Sequence, residues 1–186
     1  MGPVLIIVIP IALVFLWMIL TYNRLINLRN LIRNAWSNVD TELKRRYDLI
    51  PNLVNTVKGY AKHEQETLQK LTEARTRCVE STGSVDSQAQ EENQLVRALR
   101  QVLFVAEDYP DLKASSNFLA LQEELVNTED RIQAARRYFN GNVKDFNNLV
   151  QMVPSNLIAG MGGFKPESYF EIEDSREREA VGIHFD

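Results

Sequence analysis

The chain has 186 residues, 45% of them hydrophobic and 25% charged, with a formal net charge of -4 at pH 7 and a single cysteine. That length fits one domain-sized unit plus an N-terminal apolar run, and the acidic balance argues against a nucleic-acid ligand, which requires a basic face that displaces counterions from phosphates. Cys78 has no second cysteine to pair with, so an internal disulfide is excluded, and an ordinary packing role in a reducing compartment is the plain reading.

The first element is Val4 to Leu20, VLIIVIPIALVFLWMIL, which holds no charged or strongly polar residue. It is at the short end of what crosses a hydrocarbon core, and Thr21 and Tyr22 extend it. Pro3 suits a helix start, and Pro10 is tolerable within lipid. A cleaved signal peptide would show a basic n-region before the run and a small-residue cleavage site after it, and neither is present, so the run is predicted to stay as a transmembrane anchor. Arg24, Arg29 and Arg33 follow it with no positive side chain before it, which places the N-terminus outside and the rest of the chain in the cytoplasm. Trp17 and Tyr22 suit the interfacial layer.

From Asn23 no Gly or Pro interrupts the chain until Pro51, so the anchor is expected to run on into the first soluble helix as a stalk. Ala35, Val39, Leu43, Tyr47, Ile50, Val54, Val57 and Ala61 step by three or four and mark one apolar stripe. At Asp48-Leu49-Ile50-Pro51 two readings compete. Asp48 can cap a new helix with Pro51 in its first turn, or one helix can continue with a kink. Lengths favour the fold-back: segments of about 27, 30, 21 and 40 residues would make an up-and-down antiparallel four-helix bundle.

Ser81 to Ser87, STGSVDS, is predicted to be a loop. Leu95, Leu99, Val102, Leu103 and Ala106 then outline a short amphipathic helix that ends at Asp108-Tyr109-Pro110-Asp111. The last helix has the most regular spacing, with Phe118, Leu121, Leu125, Thr128, Ile132, Ala135, Phe139, Val143, Phe146 and Leu149 on one face until Pro154 ends it. The expectation is therefore an all-α chain: an anchor over residues 1–22, a helical bundle over 23–153 and an extended C-terminal tail over 154–186. In the fold-back arrangement Asn156 to Phe164, NLIAGMGGF, would end near the membrane surface, and packing on its own bundle is the alternative.

No reactive constellation emerges. His63-Glu64 begins like the zinc motif H-E-x-x-H, but Thr67 stands where the second histidine would be. His184, Glu123-Glu124, Glu171 and Asp174 have the ordinary reading of solvated or terminal side chains. Gly160, Gly162 and Gly163 follow a helix and precede Pro166, the wrong context for a phosphate loop. No catalytic residue, cofactor or metal ligand is predicted. Lys44-Arg45-Arg46 lies about 36 Å beyond the span along a straight helix, several screening lengths from the bilayer. A solvated face is one reading of the triplet. The other makes Lys44, Arg45 and Arg46, with the aromatics Trp36 and Tyr47, candidate contacts between subunits.

YNRLINLRN at Tyr22 to Asn30, NAWSNVD at Asn34 to Asp40, LKRRYDLIPNLVNTVKGYAKHE at Leu43 to Glu64, AEDYPDLKASSNFLALQEEL at Ala106 to Leu125 and PSNLIAGMGGFK at Pro154 to Lys165 together resemble the LemA family. The likeness runs from Tyr22 to Phe170 and is weakest over Ser81 to Glu92. It implies a bacterial inner-membrane protein with one N-terminal span, a cytoplasmic helical bundle and no known enzymatic activity. Relatives in that family include a magnetosome-membrane protein, and family genes often lie beside membrane metalloproteases. The expected function is a non-enzymatic scaffold that self-associates through its stalk and bundle, closing as a ring because every copy enters the membrane in one direction. The alternative is an adaptor that docks a membrane metalloprotease or a signalling partner.

Overall fold

The computed structural model describes residues 2–81 and 83–171, and among them it contains six helices and no strand. They are α1 (Gly2–Tyr60), α2 (Gln65–Glu80), α3 (Val85–Ala106), α4 (Pro110–Lys113), α5 (Ser116–Gln151) and α6 (Ser155–Met161). The all-α class and the passage of the apolar run directly into the first soluble helix are as the residue pattern predicts.

The fold-back at Pro51 is corrected. α1 continues through the proline to Tyr60, and the reversal comes at Ala61 to Glu64. Two features make this possible. The apolar stripe holds its register across the site, with Ile50, Leu53 and Val57 all buried while Pro51 itself faces outward. A proline inside a helix also orphans the carbonyl four residues earlier, here that of Tyr47. Arg75 of α2 donates its Nε–H to the Tyr47 carbonyl oxygen at 2.7 Å, filling the place of the missing N–H. Asp48, the proposed cap, is an exposed mid-helix residue.

The chain forms two compact units. The first comprises residues up to Leu43 and Thr128 to Tyr169. Its core joins Leu25, Ile32, Ala35 and Val39 of α1 to Ile132, Phe139, Val143 and Phe146 of α5, with Ile158, Ala159 and Phe164 beyond. The second runs from Lys44 to Asn127 and includes Phe170. There Ile50, Leu53 and Val57 of α1 are buried together with Leu68, Leu71 and Ala74 of α2, Leu95 and Val102 of α3, Leu112 and Phe118. The spacing thus locates the buried faces of α1 and α5 well, and Leu121, Ala135 and Leu149 are half-buried at its margins.

The predicted Ser81 to Ser87 loop is shorter than its composition suggests. Ser84 caps α3 by accepting the Ser87 N–H at 3.3 Å, so the helix begins at Val85 and runs 22 residues. α5 stops at Gln151, three residues before Pro154, and the Val153–Pro154 bond is cis. The segment after it is not simply extended, because Ser155–Met161 forms α6.

Candidate functional site

The longest exposed apolar stretch among the described residues is the start of α1. Large apolar side chains from Val8 through Leu20, including Ile9, Leu13, Phe15, Leu16 and Ile19, are exposed around the whole helix circumference. A helix that is apolar on every side and left largely exposed by the described residues is matched to lipid. By length and composition the helix is long and apolar enough to cross a membrane.

Beside the end of this stretch, α6 closes a corner of the first unit. Its C-terminus is a Schellman turn: Phe164 N–H reaches the Ala159 carbonyl at 2.9 Å, and Gly163 N–H reaches that of Gly160 at 3.2 Å. Gly163 supplies the left-handed residue at φ 69°. The Phe164 ring sits edge-on to Tyr22 at 5.6 Å and to Phe146 at 6.1 Å, with the Arg29 guanidinium 5.1 Å from its centroid. Asn147 then clamps the strap that follows, donating to the Glu167 carbonyl at 2.9 Å and accepting the Glu167 N–H at 2.8 Å. Gly163→Ala should destabilise this corner by about 1–2 kcal/mol, since a Cβ is strained at positive φ. Faster amide exchange at Phe164 and Glu167, with α2 and α3 unchanged, is the expected readout.

The five candidate subunit-contact residues separate by burial. Lys44 and Arg45 are exposed on α1. Trp36 is half-buried, its ring centroid 5.3 Å from that of Phe139. Arg46 and Tyr47 turn into the core of their own chain, where Arg46 is only 1% exposed. Arg46 Nη1 donates to Glu92 Oε2 at 3.1 Å, and the Tyr47 hydroxyl donates to Glu92 Oε1. Gln88 Nε2 lies 3.1 Å from the Tyr47 hydroxyl oxygen and 3.4 Å from Glu92 Oε1. Sequence reasoning missed Glu92. Its signal is present, since Ala89, Glu92, Val96 and Leu99 follow helical steps and put a carboxylate on the buried face of α3.

Burial pushes the Glu92 carboxyl above the ordinary carboxylate range, against the pull of Arg46 and of its hydrogen-bond donors. The same burial, reinforced by the Glu92 charge, pushes the Tyr47 phenol and the Cys78 thiol upward. Both shifts favour the protonated hydroxyl and thiol. The folded chain holds the Glu92 proton more tightly than the open chain does. Its contribution to stability is accordingly greatest below the open-chain value and falls as pH rises through the folded one. Glu92→Gln should remove that part of the slope, which denaturation of variant and parent across the weakly acid range will show as a converging difference.

Among the described residues no three His, Cys, Asp or Glu side chains converge as metal ligands. Glu64 of the H-E pair accepts the Tyr109 hydroxyl at 3.2 Å in the α1–α2 turn. His184 and Asp174 lie outside the described residues.

Comparison with known proteins agrees with the geometry. The LemA family profile matches residues 35–185. The chain belongs to the LemA family. Protein LemA of Metamycoplasma hominis is 32% identical over 142 residues, covering 74% of this chain and 63% of its own length. Magnetosome protein MamQ 2 of Paramagnetospirillum magneticum is 24% identical over 179 residues, 83% of this chain and 66% of that protein. Magnetosome protein MamQ of Magnetospirillum gryphiswaldense is 22% identical over 178 residues, with 82% and 65% covered. This LemA-family chain thus spans just under two thirds of the length of these curated relatives.

Proposed function

We propose that this LemA-family protein is a non-enzymatic, membrane-anchored scaffold that self-associates through the soluble part of α1 and its bundle. The observation that carries the reading is the continuity of α1, which joins a lipid-matched apolar segment to a buried core stripe in one unbroken helix. The buried polar groups are spent on each other at Glu92, which is what a structural cluster does and a catalytic one cannot afford. The arginines after the span support an inner-membrane protein with its bundle in the cytoplasm. Copies sharing one direction of insertion are suited to cyclic assembly, and the kinship with MamQ, a magnetosome protein, is consistent with organising a membrane.

Exposed Lys44 and Arg45 and half-buried Trp36 are the subunit contacts this reading retains, because Arg46 and Tyr47 are buried in the chain's own core and out of a partner's reach. The test is the mass of the full-length protein in detergent and in lipid nanodiscs. Large particles are expected, and Arg45→Glu with Trp36→Ala should shift them toward smaller species. A monomer at micromolar concentration overturns the scaffold. A stoichiometric foreign protein co-purifying with a monomer would assign the chain to the adaptor role instead.

A further inference from the structure

We propose that α6 and the turn before it form a second membrane contact, lying in the interfacial layer beside the span with the lipid bilayer as occupant of their exposed face. This rests on the membrane anchor alone and is independent of self-association.

α6 is divided between two environments. Ser155, Ile158 and Ala159 are buried, whereas Leu157 is 65% exposed and Met161 78%. Met152 and Val153 in the preceding turn continue the exposed side, Val153 reaching 79%. Single exposed apolar side chains are ordinary, but four within ten residues make a patch that water disfavours. Three of them, Val153, Leu157 and Met161, are more exposed than any large apolar side chain from Val8 to Leu20, where the highest value is 61% at Phe15. From Met152 to Phe164 the chain carries no charged residue, and Lys165 follows at once.

Position identifies the occupant. Ile158, Met161 and Gly162 line one groove with Phe15, Met18, Ile19 and Tyr22, a space of about 340 Å³ with almost wholly apolar walls. Met161 thus belongs both to the exposed patch and to the groove against the apolar face of α1. Phe15 lies five residues inside the end of the span at Leu20, about 7.5 Å along a helix axis. That depth falls within the roughly 5–10 Å to which interfacial helices sink their apolar side. The groove itself suits the tail of a lipid. A soluble partner seated on Met161 would have to enter the same layer as Phe15 and Ile19.

The contact is also built to stay in place. The Schellman turn, the Phe164 anchor and the Asn147 clamp hold α6 against Tyr22 with no further ordering required. A Cβ at Gly162 would come within 2.6 Å of the Phe164 ring and 3.2 Å of Tyr22, so glycine permits this approach.

The test uses the full-length chain in phosphatidylcholine–phosphatidylglycerol nanodiscs. Leu157→Cys and Met161→Cys, each labelled with an environment-sensitive nitrobenzoxadiazole, are compared with Leu13→Cys in the span and Val79→Cys on α2. The buried Cys78 is left in place. Both α6 sites are exposed, so the substitutions spare the core. Lipid bearing a shallow doxyl quencher should lower emission at 157 and 161 by about two-fold, as expected for interfacial depth, and should leave the Val79 site unchanged. Emission at 157 and 161 that is unquenched and water-like overturns the proposal. Blue-shifted but unquenched emission also overturns it, assigning the patch to a protein surface such as a second copy. Particle mass from the same sample reads self-association separately.

Discussion

Glu92→Ala is expected to destabilise the chain by about 3–5 kcal/mol, because it removes the carboxylate facing a guanidinium that is itself buried. Arg46 Nη1, the Tyr47 hydroxyl and Gln88 all converge on that one side chain, so a single truncation disturbs α1 and α3 together. The pair is not an efficient source of stability in its own right. Taking two charges out of water costs several kcal/mol each, and well-packed apolar replacements often perform as well. The triple variant Arg46→Met, Glu92→Leu, Tyr47→Phe should therefore recover most of the loss, with half-buried Gln88 turning its amide to water. Denaturant unfolding of the solubilised full chain gives the comparison. A Glu92→Ala cost below about 1 kcal/mol, the size of an exposed pair, would show that the cluster carries no such weight.

What the ion pair supplies beyond energy is register. An apolar stripe tolerates sliding by one helical turn, since steps of three and four repeat along it. A charge on α1 that is buried only opposite one carboxylate on α3 does not. The triple variant accordingly tests this second role: it should be stable yet show broader, more heterogeneous exchange along α1 and α3 than the parent.

Periodicity in the residues reveals most of the architecture, for a physical reason. Burial on one side of a helix imposes a spacing that is local, so Leu43, Ile50 and Val57 on α1, and Ile132, Phe139 and Val143 on α5, are legible without their partners. The destination of Arg46 and Tyr47 is not legible in this way. Residue type makes either a reasonable interface group, and the deciding partner lies 46 and 45 residues away on another helix. Glu92 was readable only as an acid in an apolar stripe, which signals a buried charge without naming its counterpart. α6 is hidden for a different cause. Seven residues are too few to establish a period, and its exposed half is apolar as well, so the usual contrast between faces is missing. At Pro51 the proline suits either a helix start or a kink, and segment lengths favour the fold-back that α1 does not make. The proline's usual cost was offset by a side chain on a separate helix that no local rule could assign.

That offset leads to the remaining large effect. Arg75→Met keeps most of the apolar stem but removes the Nε–H that reaches the Tyr47 carbonyl, and it should cost about 1–3 kcal/mol, the penalty for orphaning a part-buried acceptor. Pro51→Ala restores the helix's own donor to the same oxygen and removes the ring's conflict with the preceding turn. It should stabilise the chain by about 1–3 kcal/mol, within the range a helix-interior proline costs. The two changes share one acceptor, so they cannot be additive. In the Pro51→Ala background, Arg75→Met should fall to the few tenths of a kcal/mol typical of a surface change, leaving a coupling of about 1–2 kcal/mol in the cycle. Amide exchange around Tyr47 to Val54 should rise in Arg75→Met and return to parental rates in the double variant. Should Arg75→Met cost the same with and without the proline, the arginine is not what carries α1 through Pro51, and the unbroken helix on which the scaffold reading depends would need another support.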